Sequence, residues 1–154
     1  MADIIRKKQK GTDKVWFYTS TVKDHFINPK NIVLDDKIVE DMHPNGEGEV
    51  GSPACGDVMK FWIRVENGKI KKCLWKTFGC ASAIASTSML SVMVTENGGM
   101  TLEEAQKISP KEIMDRLGGL PPVKVHCSVL GDQALRQAIK DYKSKQQNKN
   151  VPLT

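Results

Sequence analysis

Between residues 57 and 78 the chain alternates. Met59, Phe61, Ile63 and Val65 take turns with Lys60, Trp62, Arg64 and Glu66, the period-two signature of a strand with one wet face. Asn67-Gly68 then marks a hairpin turn, and a second strand is expected over residues 70–78. Two registers compete. A two-residue loop at Asn67-Gly68 sets Lys72 opposite Ile63. A three-residue loop sets Cys73 opposite Ile63 and Trp75 opposite Phe61, keeps one face apolar, and is the register expected.

The pattern changes period on either side of this hairpin. Upstream, Val15-Trp16-Phe17-Tyr18, Val22 and Phe26 have the spacing of a short amphipathic helix over residues 15–28, stopped near Asn28-Pro29. Residues 29–54, rich in Pro, Gly, Asn and Asp, are expected to be mostly loop, with one short strand at 46–51. Downstream, residues 80–96 form a run rich in Ala, Ser and Met that stops at Asn97-Gly98-Gly99. Thr101-Leu102-Glu103-Glu104 and Ser109-Pro110-Lys111-Glu112 are capping boxes that open two further helices, the second closed by Gly118-Gly119. Leu120-Pro121-Pro122-Val123-Lys124 must be extended, and Leu130, Ala134, Ala138, Ile139 and Tyr142 mark the apolar face of a last helix. Strands first and helices after predict an α+β domain, with about three antiparallel strands and helices packed on one face.

The chain's 154 residues suit one domain. Its net charge of +5 sits mainly at the ends. Arg6, Lys7, Lys8, Lys10 and Lys14 outnumber Asp3 and Asp13, and Lys140, Lys143, Lys145 and Lys149 outnumber Asp141. We therefore expect a flexible basic tail over 1–14, a folded domain over 15–145 and a second flexible tail over 146–154. A nucleic-acid reader would carry a basic stripe on a folded face, so neither nucleic acid nor membrane is an expected partner. The first eight residues lack the apolar stretch of a secretory signal, and a cytoplasmic location is expected.

Four cysteines occur, Cys55, Cys73, Cys80 and Cys127, with no C-x-x-C pair. Without an export signal, metal or redox chemistry is a better expectation than disulfides. Cys73 falls mid-strand on the apolar face and reads as packing. The other three sit at element ends: Cys55 in the turn Pro53-Ala54-Cys55-Gly56-Asp57, Cys80 between a strand and a helix, and Cys127 after His126 at the start of the last helix. Helix N-termini favour thiolate, the form that binds metal. Asp57 stands two residues beyond Cys55, and His126 directly precedes Cys127.

These segments resemble the IscU-type iron–sulfur scaffold family, which also forms the N-terminal part of NifU. The carriers are Asp24-His25-Phe26-Ile27-Asn28-Pro29-Lys30-Asn31, Gly51-Ser52-Pro53-Ala54-Cys55-Gly56-Asp57, Lys76-Thr77-Phe78-Gly79-Cys80-Ala81-Ser82-Ala83-Ile84-Ala85-Ser86 and Leu120-Pro121-Pro122-Val123-Lys124-Val125-His126-Cys127-Ser128. The resemblance runs from about Tyr18 to Tyr142. It implies that Cys55, Cys80 and Cys127 ligate a cluster, with Asp57 and His126 competing for the fourth position. It implies that Leu120, Pro121, Pro122, Val123 and Lys124 form a recognition strip for a specialised Hsp70-type chaperone working with a J-type co-chaperone. It also implies sulfur from a cysteine desulfurase, assembly of a [2Fe–2S] cluster, and delivery to ferredoxin or other apo-proteins. Ala81 departs from the family's usual glycine, and residues 95–100 are slightly longer than usual. His126 favours the Isc side over SUF-type relatives, which usually lack a histidine before the third cysteine.

Rival readings are a sulfur-transfer protein with a zinc-bound cysteine, a structural zinc module and, more distantly, a cysteine hydrolase. His126 and Cys127 are sequence neighbours, whereas a nucleophile and its base usually come from separate segments. A carrier rather than an enzyme is expected. Stable clusters in electron carriers normally have four thiolates, and this set offers three. The same ligands also suit Zn2+, which takes mixed Cys, His and carboxylate donors tetrahedrally.

Overall fold

The computed structural model describes residues 4–8, 15–52, 57–78, 81–118 and 126–150; for 4–8, 15–18, 52, 57, 81–82, 126–130 and 147–150 it describes the backbone alone. In chain order the elements are β1 (Ile4–Lys8), β2 (Val15–Thr19), α1 (Ser20–Ile27), α2 (Asp36–Met42), β3 (Gly46–Ser52), β4 (Asp57–Glu66), β5 (Lys69–Thr77), α3 (Ala81–Thr95), α4 (Leu102–Gln106), α5 (Pro110–Leu117) and α6 (His126–Asn150). β3, β4 and β5 make an antiparallel sheet in that order, and β1 pairs with β2 separately. Met59, Phe61, Ile63, Ile70, Cys73 and Trp75 point from the sheet into the main core, where α3 and α6 cover them.

The hairpin keeps the expected register by an unexpected route. Ile63 faces Cys73 and Phe61 faces Trp75, yet the loop is the two-residue Asn67-Gly68 turn, because Glu66 pairs with Lys69. A bulge reconciles them: Val65 pairs with Ile70 and Arg64 with Lys72, leaving Lys71 as the extra residue. Asn67 (φ 54°) and Gly68 (φ 74°) are both left-handed, as the favoured hairpin turn requires.

Three expectations need correction. Val15–Thr19, expected as helix, is a strand paired with Ile4–Lys8, which was expected to be part of a loose tail. Its β-branched and aromatic residues suit a pleated surface better than a helix. The helix starts one residue later, because Thr19 caps it: its hydroxyl accepts the Val22 N–H at 3.1 Å. The stretch expected as loop contains α2, capped by Asp35 on Lys37 N–H, with Val33 and Met42 covering Trp62 on the opposite sheet face. Finally, α6 runs on to Asn150, into the expected C-terminal tail.

Both capping boxes form as expected. Thr101 Oγ1 accepts Glu104 N–H at 3.2 Å and Ser109 Oγ accepts Glu112 N–H at 3.3 Å. Gly118 (φ 81°) closes α5. α3 is buried nearly all round although rich in serine. Its hydroxyls turn back on the helix itself, Ser86 onto Ala83 O, Ser91 onto Ser88 O and Thr95 onto Ser91 O, so burial leaves them satisfied.

A polar clamp ties α1 and the following turn to α3. Ser88 Oγ accepts the Lys30 N–H at 2.8 Å and lies 2.7 Å from His25 Nδ1. Lys30 O accepts Trp75 Nε1–H at 2.7 Å, and Asn31 Nδ2 donates to Ser91 Oγ at 3.0 Å. Burial lowers the pKa of His25 below its ordinary value; the cations Lys30 and Arg116 add to this and Asp24 opposes it. The folded state therefore holds fewer protons here than the unfolded chain, so this contribution is complete above the ordinary histidine pKa of ~6.5 and is lost as pH falls. Urea midpoints measured between about pH 7.5 and pH 5.5 should drop for the natural chain and drop less for His25→Gln. Parallel curves would remove His25 from the account.

Candidate metal centre

The sheet has one end where chemistry can collect. Ser52 closes β3 opposite Asp57, which opens β4. β5 ends beside them: Thr77 pairs with Met59, and Val58 O accepts both Phe78 N–H (3.3 Å) and Thr77 Oγ1–H (2.9 Å). α3 starts three residues after Phe78 and runs back along β5. Near its middle Thr87 Oγ1 lies 3.6 Å from Met59 Sδ. Beyond its far end Met100 O accepts the Ile70 N–H at 2.9 Å.

The direction of α6 follows from glycines. A Cβ on Gly48 would collide with the backbone of Ala134 and, at 2.5 Å, with Ala138 N; one on Gly46 would lie 2.6 Å from Ala138 O and 3.0 Å from Tyr142 Cβ. Only bare backbone on β3 lets α6 lie this close. Ala134 meets Gly48 and Tyr142 meets Gly46, so α6 runs from the Ser52 end of β3 toward its Gly46 end. Gly131 meets Thr87 on α3, in the same sense. The first turns of α3 and α6 therefore share the end at which Asp57 opens β4.

Three of the five expected ligands can be placed on this frame. Asp57 is the first residue of β4, and His126 and Cys127 are the first two of α6. Cys55, Cys80 and the strip Leu120-Pro121-Pro122-Val123-Lys124 lie outside the described residues. Topology thus brings Asp57 and the pair His126-Cys127 to one end of the sheet. Two helix N-termini add positive dipole ends that favour thiolates.

Cys73 is separate. It is buried on the inner sheet face, and burial pushes its thiol pKa well up, so it stays protonated and packs as a small apolar group. Among the described residues no group of three or more His, Cys, Asp or Glu side chains is placed to hold a metal ion.

Sequence patterns did not reveal two features nearby. Asp132, five residues beyond Cys127, is buried; its Oδ2 pairs with Arg136 at 3.1 Å, while its Oδ1 has no hydrogen-bond partner among the described residues. Burial raises its pKa, Arg136 opposes the shift and Glu112 reinforces it. The Gly46–Gly48 seam is the other, visible in sequence only as G-x-G within a region that reads as loop.

Comparison with known proteins places the chain in a family. The family model described as the NifU-like N terminal domain matches residues 17–149. The chain is 48% identical over 132 residues to the "Iron-sulfur cluster assembly scaffold protein IscU" of Aquifex aeolicus, covering 84% of this chain and 78% of that one. It is 47% identical over 133 residues to the protein of the same name from Escherichia coli K12, covering 86% and 98%. A NifU-like N-terminal crystal structure from Brucella abortus shares the fold, with a TM-score of 0.57 at 18% identity over 82% of this chain and 94% of that one.

Proposed function

The chain belongs to the NifU-like N-terminal domain family, and from that premise we propose that it is an iron–sulfur cluster assembly scaffold, a carrier and not an enzyme. The supporting observation is the shared end of the sheet, where the starts of β4, α3 and α6 lie and where Asp57 and His126-Cys127 fall. The cargo is a [2Fe–2S] cluster held by Cys55, Cys80 and Cys127, with Asp57 or His126 in the fourth position; Zn2+ fits the same donors. Sulfur comes from a cysteine desulfurase, and ferredoxin or another apo-protein receives the cluster. The extended strip at residues 120–124 serves an Hsp70-type chaperone with its J-type partner. No helix among the described residues is long and apolar enough to cross a membrane, and a cytoplasmic location is part of the proposal.

Three thiolates suit a cargo that must leave. A carboxylate is a hard ligand, poorly matched to a soft iron–sulfide core, so Asp57 is the arm that lets go and admits an acceptor thiolate. Asp57→Ala should still take up a cluster, keep its visible absorbance longer in air or chelator, and deliver it more slowly to an apo-acceptor. Equal half-lives and equal transfer rates, with a lower melting temperature, would reduce Asp57 to a turn cap.

A further inference from the structure

One edge of the sheet is covered at its ends and open between them. β5 is an outer strand. Ile32 bridges to Trp75 near one end, and Thr101 bridges to Lys69 at the other. Trp75 N–H donates to Asn31 O at 3.1 Å, Trp75 O accepts Val33 N–H at 2.8 Å, and Ile70 N–H donates to Met100 O at 2.9 Å. Along an antiparallel strand the backbone pairs alternate in direction. Cys73, two residues before Trp75, therefore also turns its N–H and C=O away from β4. Neither group has a partner among the described residues. Cys73 is buried, and leaving buried backbone groups unpaired is costly.

A cavity of about 450 Å3 lies against this gap, and Cys73 lines it. Ile38 and Met42 of α2 wall it beside Leu74, and Thr95, the last residue of α3, also lines it. Ile38 is 43% exposed, an apolar side chain with nothing over it. The open stretch Lys71–Cys73 spans about 10 Å at ~3.3 Å per residue, room for about three extended residues.

We propose that this slot takes an extended segment of a partner protein, which completes the edge of β5 by hydrogen bonds to Cys73 and sets an apolar side chain against Ile38 and Leu74. The lining charges do not select an anion or a cation. Asp41 and Lys72 both line the cavity, and the Lys71 ammonium is engaged by Gly98 O at 2.7 Å. A second copy offering its own β5 is a poor fit, because α2 and Thr95 flank the edge in both copies and hold the two strands apart. β5 reaches the metal end only at Thr77, so the slot is open whether or not a cluster is held. The inference goes beyond the scaffold reading and does not depend on it.

The probe is a set of eight-residue linear peptides selected from a random display library against the metal-free chain. Binding is followed by fluorescence anisotropy and by amide hydrogen exchange. At saturating peptide the Cys73 amide should exchange at least tenfold more slowly, while the Lys72 and Leu74 amides, which already face β4, should not change. Ile38→Glu, at an exposed position, should weaken binding about tenfold and leave cluster loading as in the natural chain. Methylating the peptide nitrogen that pairs with Cys73 should weaken binding by a similar factor. Failure to select any peptide, or selected peptides that leave the Cys73 amide unprotected, would overturn the proposal. Binding indifferent to the methylated nitrogen would also overturn it, by making the slot a pocket for a side chain or small molecule. Dimerisation of the chain that Ile38→Glu abolishes would give the slot to a second copy and overturn it too. None of these results bears on the scaffold reading, which is tested by cluster loading alone.

Discussion

Serine in place of Cys55, Cys80 or Cys127, one at a time, should leave a chain that folds but holds almost no cluster after anaerobic reconstitution. Losing only a hydrogen-bond partner of a metal ligand costs roughly 10–100-fold in affinity, and losing a thiolate from a set of three should exceed that. Cys73→Ala provides the contrast. Its side chain is buried against the core, opposite Ile63, so it should load as the natural chain does and lose only ~1 kcal/mol of stability. Iron and sulfide content with the visible spectrum reads the first quantity, and urea unfolding reads the second. Loss of cluster in Cys73→Ala with retention in Cys127→Ser would show that the ligand set had been misassigned.

The largest stability effect is expected at Gly48→Ala. The new Cβ would meet backbone atoms of α6 and, at 2.8 Å, Gln137 Cβ, and the backbone atoms cannot rotate aside. Relief requires α6 to move away from β3. A loss of about 3 kcal/mol, the upper end for overpacking, is expected, seen as a fall of about 1 M or more in the urea midpoint. Because α6 begins with His126-Cys127, the same change should weaken metal binding. Glu49→Ala, next in the strand and exposed, should stay within ~0.5 kcal/mol. Equal midpoints for the two variants would mean that the glycine seam does not set the position of α6.

These cases show what the sequence makes legible. The hairpin register was readable because a one-residue slip would turn Lys72 inward, but the bulge at Lys71 was not, since an apolar face can be kept by a longer loop or by a bulge. Capping boxes at Thr101 and Ser109 were readable because the cap is local chemistry. The Val15–Thr19 strand was missed because its pairing with Ile4–Lys8 is a tertiary event that overrides an apolar spacing compatible with helix. α2 was missed because its seven residues bury Met42 alone, too little for a periodic signal. At the site, residue type and position at element ends separated three cysteines from Cys73. The place of His126-Cys127 in the fold depends on which way α6 runs, and that is decided by close approach at Gly46 and Gly48, which carry no side chain to read.

The central claim is that this chain builds a cluster and gives it away. Its most direct test is anaerobic incubation of the metal-free protein with ferrous iron, cysteine and a cysteine desulfurase, followed by addition of an apo-ferredoxin. The account predicts that visible absorbance grows on this chain, then passes to the ferredoxin, leaving the chain colourless and able to load again. A chain that stays colourless throughout while holding Zn2+ that neither iron nor acceptor displaces would contradict it.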